Sequence, residues 1–266
     1  MTNASSARTV LITGASTGIG YELARLFAAD KRQDWELVLL ARRAPRMKDV
    51  ADRLASEFGV RTHALSIDLS EAHGPHEAWN QVRQLGLKLD CLVNNAGFGT
   101  SGPFASLEMK EQLALIQLNV TSLVHLTKLF LQQIVARKGR VLNVASTAAF
   151  QPGPNMAVYY ASKAFVLSFS EAIAEEMRGA GVRVSTLCPG PTLTEFQRRA
   201  QMSESALFKG PFTMDAPTVA RAGFEGLMRG KRLIIPGWQN KLMIQSERLA
   251  PRNLVMKISA AVTKKL

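Results

Sequence analysis

Cysteine is scarce: the 266 residues hold two, Cys91 and Cys188, in no CxxC pattern and both inside apolar segments. A buried thiol in such a place acts as a small hydrophobe, and a reducing, intracellular compartment is expected. Histidine is nearly as sparse. Of His63, His73, His76 and His125, the one close pair spans Gly74-Pro75, where no helix would align two ligands, so no metal site is expected. No stretch approaches the roughly 18 uninterrupted apolar residues of a spanning helix. The first residues, MTNASSARTVLITG, lack the charged start, apolar middle and cleavage site of a secretory signal, so export is not expected. Internal repeats, low-complexity tracts and linkers are absent as well.

What is present is ordinary globular composition, 47% apolar and 20% charged. At this length a single α/β domain over 1–266 is expected, built around one large core. The net charge of +12 is unevenly spread. From Arg229 to Leu266 there are nine Lys and Arg against one acid, Glu247, so the tail carries most of the excess.

Apolar runs of strand length alternate with longer segments of helical spacing, the pattern of repeated βα units. The strands predicted are 8–13, 35–41, 62–67, 89–94, 140–145, 182–187 and 232–236; the helices are 18–30, 45–58, 75–86, 104–137, 156–179 and 215–229. Several strands are apolar throughout, as parallel strands covered on both faces must be. The expected fold is a three-layer αβα, doubly wound parallel sheet of about seven strands. The segment 189–214 opens with PGP, mixes Phe196, Met202, Leu207, Phe208, Phe212 and Met214 with charges, and has weak periodicity; it reads as a lid.

After the first strand comes TGASTGIG, with Gly14, Gly18 and Gly20 at a strand-to-helix turn. Glycines there let the backbone turn sharply and approach a pyrophosphate, while the helix offers unpaired N–H groups to the anion. The same residues satisfy G-x-S-x-G, the nucleophile elbow of α/β-hydrolases. That reading fails on order: Ser16 follows the first strand, and the last histidine, His125, lies within a helical run rather than a late loop. The second strand ends in LLARR. A carboxylate at this place suits the ribose of NAD, whereas Arg42, assisted by Arg43, suits the 2′-phosphate of NADP.

In VYYASKAF, 158–165, both Tyr159 and Tyr160 lie one helical turn before Lys163, and spacing favours Tyr159 only slightly. Taken together, the motifs resemble those of the classical short-chain dehydrogenases/reductases. TGASTGIG matches the family's T-G-x-x-x-G-x-G, NNAG at 94–97 its fourth-strand motif, and YYASK its Y-x-x-x-K; Asn119, Ser146 and PGPTLT at 189–194 fall in order. The match covers roughly 8–195.

The resemblance implies an oxidoreductase interconverting a carbonyl and an alcohol with NADP(H), NAD being the lesser expectation. It selects Tyr159 as general acid and base, Ser146 as hydrogen-bond donor to the substrate oxygen, Lys163 on the ribose, and Asn119 as a relay to Lys163 through water. It assigns cofactor contacts to Gly14, Ser16, Thr17, Gly18, Ile19, Gly20, Arg42, Asp68, Asn95, Tyr159, Lys163, Thr192 and Thr194, while Asn94 ties strands together. Poising a phenol near neutrality requires stabilising its anion by about 4 kcal/mol, and an ammonium about 4 Å away supplies a term of that order. One departure is Thr17, where many NADP-preferring relatives carry Arg or Lys, so Arg42 must supply most of that preference.

Phe98, Phe150 and Met156 border the expected cleft, and a lipophilic substrate follows. In the extension 238–266, Leu254, Ile258 and Val262 form an apolar face beside Arg252, Lys257, Lys264 and Lys265. That pattern suits either an interfacial helix on anionic lipid or a terminal helix packed on the body or a partner subunit. A cytoplasmic homo-oligomer is the expected setting, with peripheral membrane attachment through this tail as one of the open alternatives. Two rival functions are an idle NADP(H)-binding sensor, which has little need of Ser146, Tyr159 and Lys163 together, and a nucleic-acid binder, for which the tail lacks an aromatic platform.

Overall fold

The computed structural model describes residues 7–200, 210 and 213–263. In chain order the strands are β1 (Arg8–Thr13), β2 (Trp35–Ala41), β3 (Thr62–Ser66), β4 (Leu89–Asn94), β5 (Arg140–Val144), β6 (Arg183–Leu187), β7 (Thr192–Leu193), β8 (Met214–Asp215) and β9 (Leu233–Ile234). The helices are α1 (Gly18–Ala29), α2 (Ala44–Phe58), α3 (Gly74–Gln84), α4 (Met109–Ile116), α5 (Leu123–Ala136), α6 (Ala157–Glu176), α7 (Glu195–Arg199), α8 (Ala216–Met228), α9 (Trp238–Leu249) and α10 (Arg252–Thr263).

Seven strands form one parallel sheet in the order β3-β2-β1-β4-β5-β6-β9, the doubly wound arrangement expected. β1 and β2 bury nearly every residue because helices cover both faces. One layer holds α1, α2 and α8, whose Leu23, Phe27, Met47, Leu54, Val219 and Phe224 pack on Val10, Ile12, Leu37 and Leu39. Within it Phe27 meets Trp35 and Phe224 edge-on at 4.9 and 5.0 Å, contacts worth about 0.5–1.5 kcal/mol each beyond their buried area. The other layer holds α3, α4, α5 and α6 against Leu11, Val38, Leu92 and Val141.

α4 and α5 are joined by a π turn, Gln117–Ser122, into one continuous helical run. The run Met109–Ala136 has the length and apolar composition of a membrane span. Its Leu115, Leu118, Leu126, Phe130 and Ile134 are nonetheless buried in the layer against the sheet, which accounts for that composition.

The segment expected as a lid contains the two-stranded pair β7–β8 and the short α7, neither legible as periodicity; its residues 201–209 and 211–212 lie outside those described. The tail is two helices. α10 docks by Val255, Ser259 and Thr263, and Thr263 Oγ1 donates to Pro154 O at 2.7 Å. Leu254 and Ile258, on the stripe expected to be its apolar face, are 50% and 56% exposed. Lys264 and Lys265 lie outside the described residues.

Candidate active site

The strand order reverses between β1 and β4, and a cleft of about 1290 Å³ opens beyond the carboxyl ends of the strands there. Sites for a single drug-sized molecule occupy roughly 300–1,000 Å³, so this one has room for a dinucleotide and a second small molecule.

One wall is the glycine turn. Gly14 and Gly18 have φ of 66° and 57°, where a side chain is strained, and a Cβ on Gly14 would also sit 2.9 Å from Asn95 Nδ2. α1 begins at Gly18 with no side-chain cap, which leaves its first N–H groups for an anion. Gly14, Ser16, Thr17, Gly18 and Ile19 line the cleft. Gly20 does not: its missing Cβ lets the helix close onto the Gly14 carbonyl and the Asn95 amide, a packing role. Asn95 lines the cleft while its side chain donates to Thr13 O (2.9 Å) and Gly14 O (3.2 Å), fixing the ends of β1 and β4 to each other. Asn94 bonds Thr127 and Asn143, tying strands and helix together as expected.

At the far end Arg42 and Asp68 pair at 3.6 Å, both half-exposed to the cleft. Burial works to raise the Asp68 carboxyl, but hydrogen bonds from Ser70 and the Arg42 charge outweigh it and hold the group below its ordinary value. Arg43 and Arg46 join this basic rim. Sequence reasoning missed Arg46, although a third arginine within one turn of LLARRAPR was the available signal. Its Nη1 donates to Glu195 Oε1 at 2.8 Å, bridging α2 to α7.

Tyr159 and Lys163 are buried on α6 at the inner corner of the cleft. The Lys163 ammonium lies 5.8 Å from the Tyr159 ring centroid and donates to Val144 O at 2.9 Å. Ser146 caps a short turn, accepting from Ala148 N at 3.1 Å, and its hydroxyl is near enough to the Tyr159 phenol to favour the anion. Burial nevertheless dominates and pushes the phenol well above its usual range, while it brings Lys163 down to about 8. The expected acidified phenol is therefore corrected for the protein by itself. Its ammonium is engaged by a backbone carbonyl and is itself desolvated, so it does not offset the cost of burying a phenolate.

Asn119 sits in the π turn and does not line the cleft. Its amide accepts from Phe98 N (3.1 Å) and donates to Phe98 O (2.9 Å) and Ser162 Oγ (3.1 Å). Gly97 separates it from Lys163: a Cβ there would meet Asn119 Oδ1 at 3.1 Å and Lys163 Nζ at 3.5 Å. Thr192 and Thr194 line the opposite rim, the Thr194 methyl against Gly18.

Phe98, Met156, Tyr160 and Phe196 form an apolar chamber, the Phe196 ring 5.2 Å from that of Tyr159. Phe150, expected here, instead packs beside Val166 and Leu167 behind the site. The remaining wall was not foreseen: α9 contributes Asn240, Met243 and Glu247, and α10 contributes Val255, Ile258, Ser259 and Val262. Among the described residues no cluster of three or more His, Cys, Asp or Glu is placed to hold a metal ion.

A glycine turn at the reversal of a parallel sheet, a basic rim at one end and a buried Tyr/Ser/Lys corner at the other define a dinucleotide-dependent α/β enzyme. The chain belongs to the short chain dehydrogenase family, whose sequence profile matches residues 8–205. It is 33% identical over 214 residues to serine 3-dehydrogenase of Agrobacterium fabrum, spanning 78% of this chain and 83% of that one. The short-chain dehydrogenase of Sphingobium yanoikuyae, solved in complex with NADPH, superimposes with TM-score 0.81 at 32% identity, covering 93% and 94% of the two chains. A bulky-bulky ketone specific alcohol dehydrogenase from Comamonas testosteroni gives TM-score 0.76 at 28% identity over 92% and 93%. The protein is thus an oxidoreductase that uses a nicotinamide cofactor and acts on CH–OH and C=O groups.

Proposed function

We propose that the protein interconverts lipophilic ketones or aldehydes and their alcohols with NADP(H), using Tyr159 as the proton donor and acceptor. The observation that carries this reading is the meeting of the Tyr159 phenol, the Ser146 hydroxyl and the Lys163 ammonium at the inner end of the cleft that the glycine turn lines. The residues fit a dinucleotide. The turn and the uncapped start of α1 suit a pyrophosphate, and Arg42, with Arg43 and Arg46 beside it, suits a 2′-phosphate. Asp68, Asn95, Thr192 and Thr194 line the path between the two ends. When bound, the nicotinamide supplies or takes up the hydride.

The side chains then have separate tasks. Ser146 donates to the substrate oxygen and polarises it, the phenol transfers its proton to the same oxygen as negative charge develops, and Lys163 would hold the ribose hydroxyls. Asn119 acts by position, holding Phe98 and the wall beside Lys163, with any proton path through water. The segment 189–214 serves as a cover, a reading supported by Phe196 over Tyr159 and by the Glu195–Arg46 bridge. The chamber of Phe98, Met156 and Phe196 favours a bulky apolar substrate, and the likeness to a bulky-bulky ketone specific alcohol dehydrogenase supports the bulk. The outward stripe of the tail, with Lys241, Arg252 and Lys257 exposed, supports peripheral attachment of a cytoplasmic homo-oligomer to anionic lipid.

Replacing Tyr159→Phe removes the proton and keeps the ring. Carbonyl-dependent NADPH oxidation is expected to fall by about 10²–10⁴-fold while calorimetric NADPH binding persists; normal turnover in this variant would end the assignment.

A further inference from the structure

The wall that the tail adds to the cleft is chemically unlike the rest of it. Asn240, Met243 and Glu247 are spaced by three and four residues on α9, and Val255, Ile258, Ser259 and Val262 repeat that spacing on α10, so each helix turns one face inward. Two acceptor oxygens on these faces, Asn240 Oδ1 and Glu247 Oε2, are buried and have no hydrogen-bond partner among the described residues, while the buried Ser259 Oγ has the Tyr160 hydroxyl beside it. Buried polar atoms are nearly always paired. Amide and carboxylate oxygens can only accept, so both call for a donor.

Glu247 is also the single acid in the 38 residues from Arg229 to the end, among nine basic side chains, and it faces inward. Arg42 pairs with Asp68, Arg46 with Glu195, and Lys163 bonds Val144 O. Among the described residues Glu247 has no such partner. Burial alone pushes its carboxyl up to about 7, as follows when no cation or N–H is close enough to hold the charge.

Tyr160 connects this wall to the reacting corner. Its ring lies 6.0 Å from the Tyr159 ring, and its hydroxyl is close enough to Ser259 and Glu247 to feel both. Gly153 fixes its place, since a Cβ there would overlap the Tyr160 ring. The second tyrosine of VYYASKAF therefore stands between the two regions.

We propose that Glu247, with Ser259, forms a recognition site for a protonated amine carried on the substrate away from its reacting carbon. This rests on the reading of the Tyr159 corner as the reacting end. The favoured substrate is an amino ketone or amino alcohol with an apolar body: the body lies along Phe98, Met156 and Phe196, and the ammonium supplies donors to the Glu247 carboxylate and the Ser259 hydroxyl. A charge-assisted hydrogen bond to a carboxylate is among the stronger polar contacts in such a site.

The test uses binding, so that it does not depend on turnover. Calorimetry on the full chain with NADPH compares 4-phenylbutylammonium with 4-phenylbutanol, probes alike in apolar body and different in charge. The wild type is expected to bind the ammonium at least about tenfold more tightly than the alcohol, and Glu247→Gln to reduce that ratio to about one. Circular dichroism melting establishes that the variant is folded, and Ser259→Ala, which leaves the carboxylate in place, is expected to lower the ratio partway. Equal binding of the two probes by the wild type, or a preference that survives in Glu247→Gln, overturns the proposal. Normal carbonyl reduction by Tyr159→Phe with the ammonium preference intact would refute the redox reading of Tyr159 instead.

Discussion

Burial acts on Tyr159 and Lys163 in opposite senses and favours the neutral form of each. The phenol is driven up and the ammonium down to about 8, so the protein without cofactor holds its proton on the tyrosine. That state suits the acid needed for carbonyl reduction; the reverse reaction needs the positive charge of an oxidised nicotinamide nearby. Lys163 also adds a pH dependence to stability. Its folded pKa lies below its unfolded one, the unfolded chain binds more protons between about 8 and 10.5, and stability rises with pH across that window. With three tyrosines in the chain, absorbance titration resolves the phenol. No phenolate that Tyr159→Phe removes is expected below pH 10, and one appearing near neutrality would contradict the burial argument. Arg42 offers a second prediction. Its partner Asp68 is a weak, half-exposed competitor for a phosphate, so Arg42→Ala should weaken NADPH by about tenfold or more and NADH hardly at all, read as dissociation constants. Equal losses would remove the 2′-phosphate role.

At the scale of elements, the π turn matters most to the site. It interrupts a long core helix at Asn119 and brings that side chain onto both backbone groups of Phe98. Asn119→Leu would remove its hydrogen bonds to Phe98 N, Phe98 O and Ser162 Oγ from the core and should cost roughly 1–3 kcal/mol in urea unfolding, with cofactor affinity falling as the adjoining wall loosens. An unchanged midpoint would show that Phe98 finds other partners. The longer elements were legible because both faces of each central strand are covered, which writes unbroken apolar runs such as VLIT and LVLL into the chain. β7 and β8 were not, since two residues carry no period. The tail misled hydropathy for a physical reason: α10 docks on Ser259 and Thr263, and Thr263 gives its hydroxyl to Pro154 O and Ser259 O, so polar residues face inward. Its more hydrophobic stripe, through Leu254 and Ile258, faces outward or rims the cleft. One turn of spacing left Tyr159 and Tyr160 nearly equal as partners of Lys163, and the match to Y-x-x-x-K chose Tyr159; Arg46, Asn240, Glu247 and Ser259 were not legible, because each is brought in by a helix whose packing no local pattern specifies.

Over the whole molecule, charge and exposed apolar surface gather at one end of the chain. Trp238, Leu242 and Leu249 on α9 are 70%, 62% and 89% exposed, and Leu254 and Ile258 on α10 are 50% and 56% exposed, in the same stretch of sequence as the basic residues of the tail. Each Lys or Arg near an anionic surface contributes about 1 kcal/mol, so the protein should pellet with phosphatidylserine vesicles at low salt and be released at high salt. Failure to pellet would withdraw the membrane reading, and sedimentation without lipid reports the assembly state. A separate consequence follows from where the cleft wall comes from. The family profile ends at residue 205, yet α9 and α10 close the far side of the chamber. Part of the chamber wall is thus encoded outside the stretch that carries the coenzyme motifs, and transplanting the last two helices from a relative should shift ligand selectivity while leaving dinucleotide preference where it was.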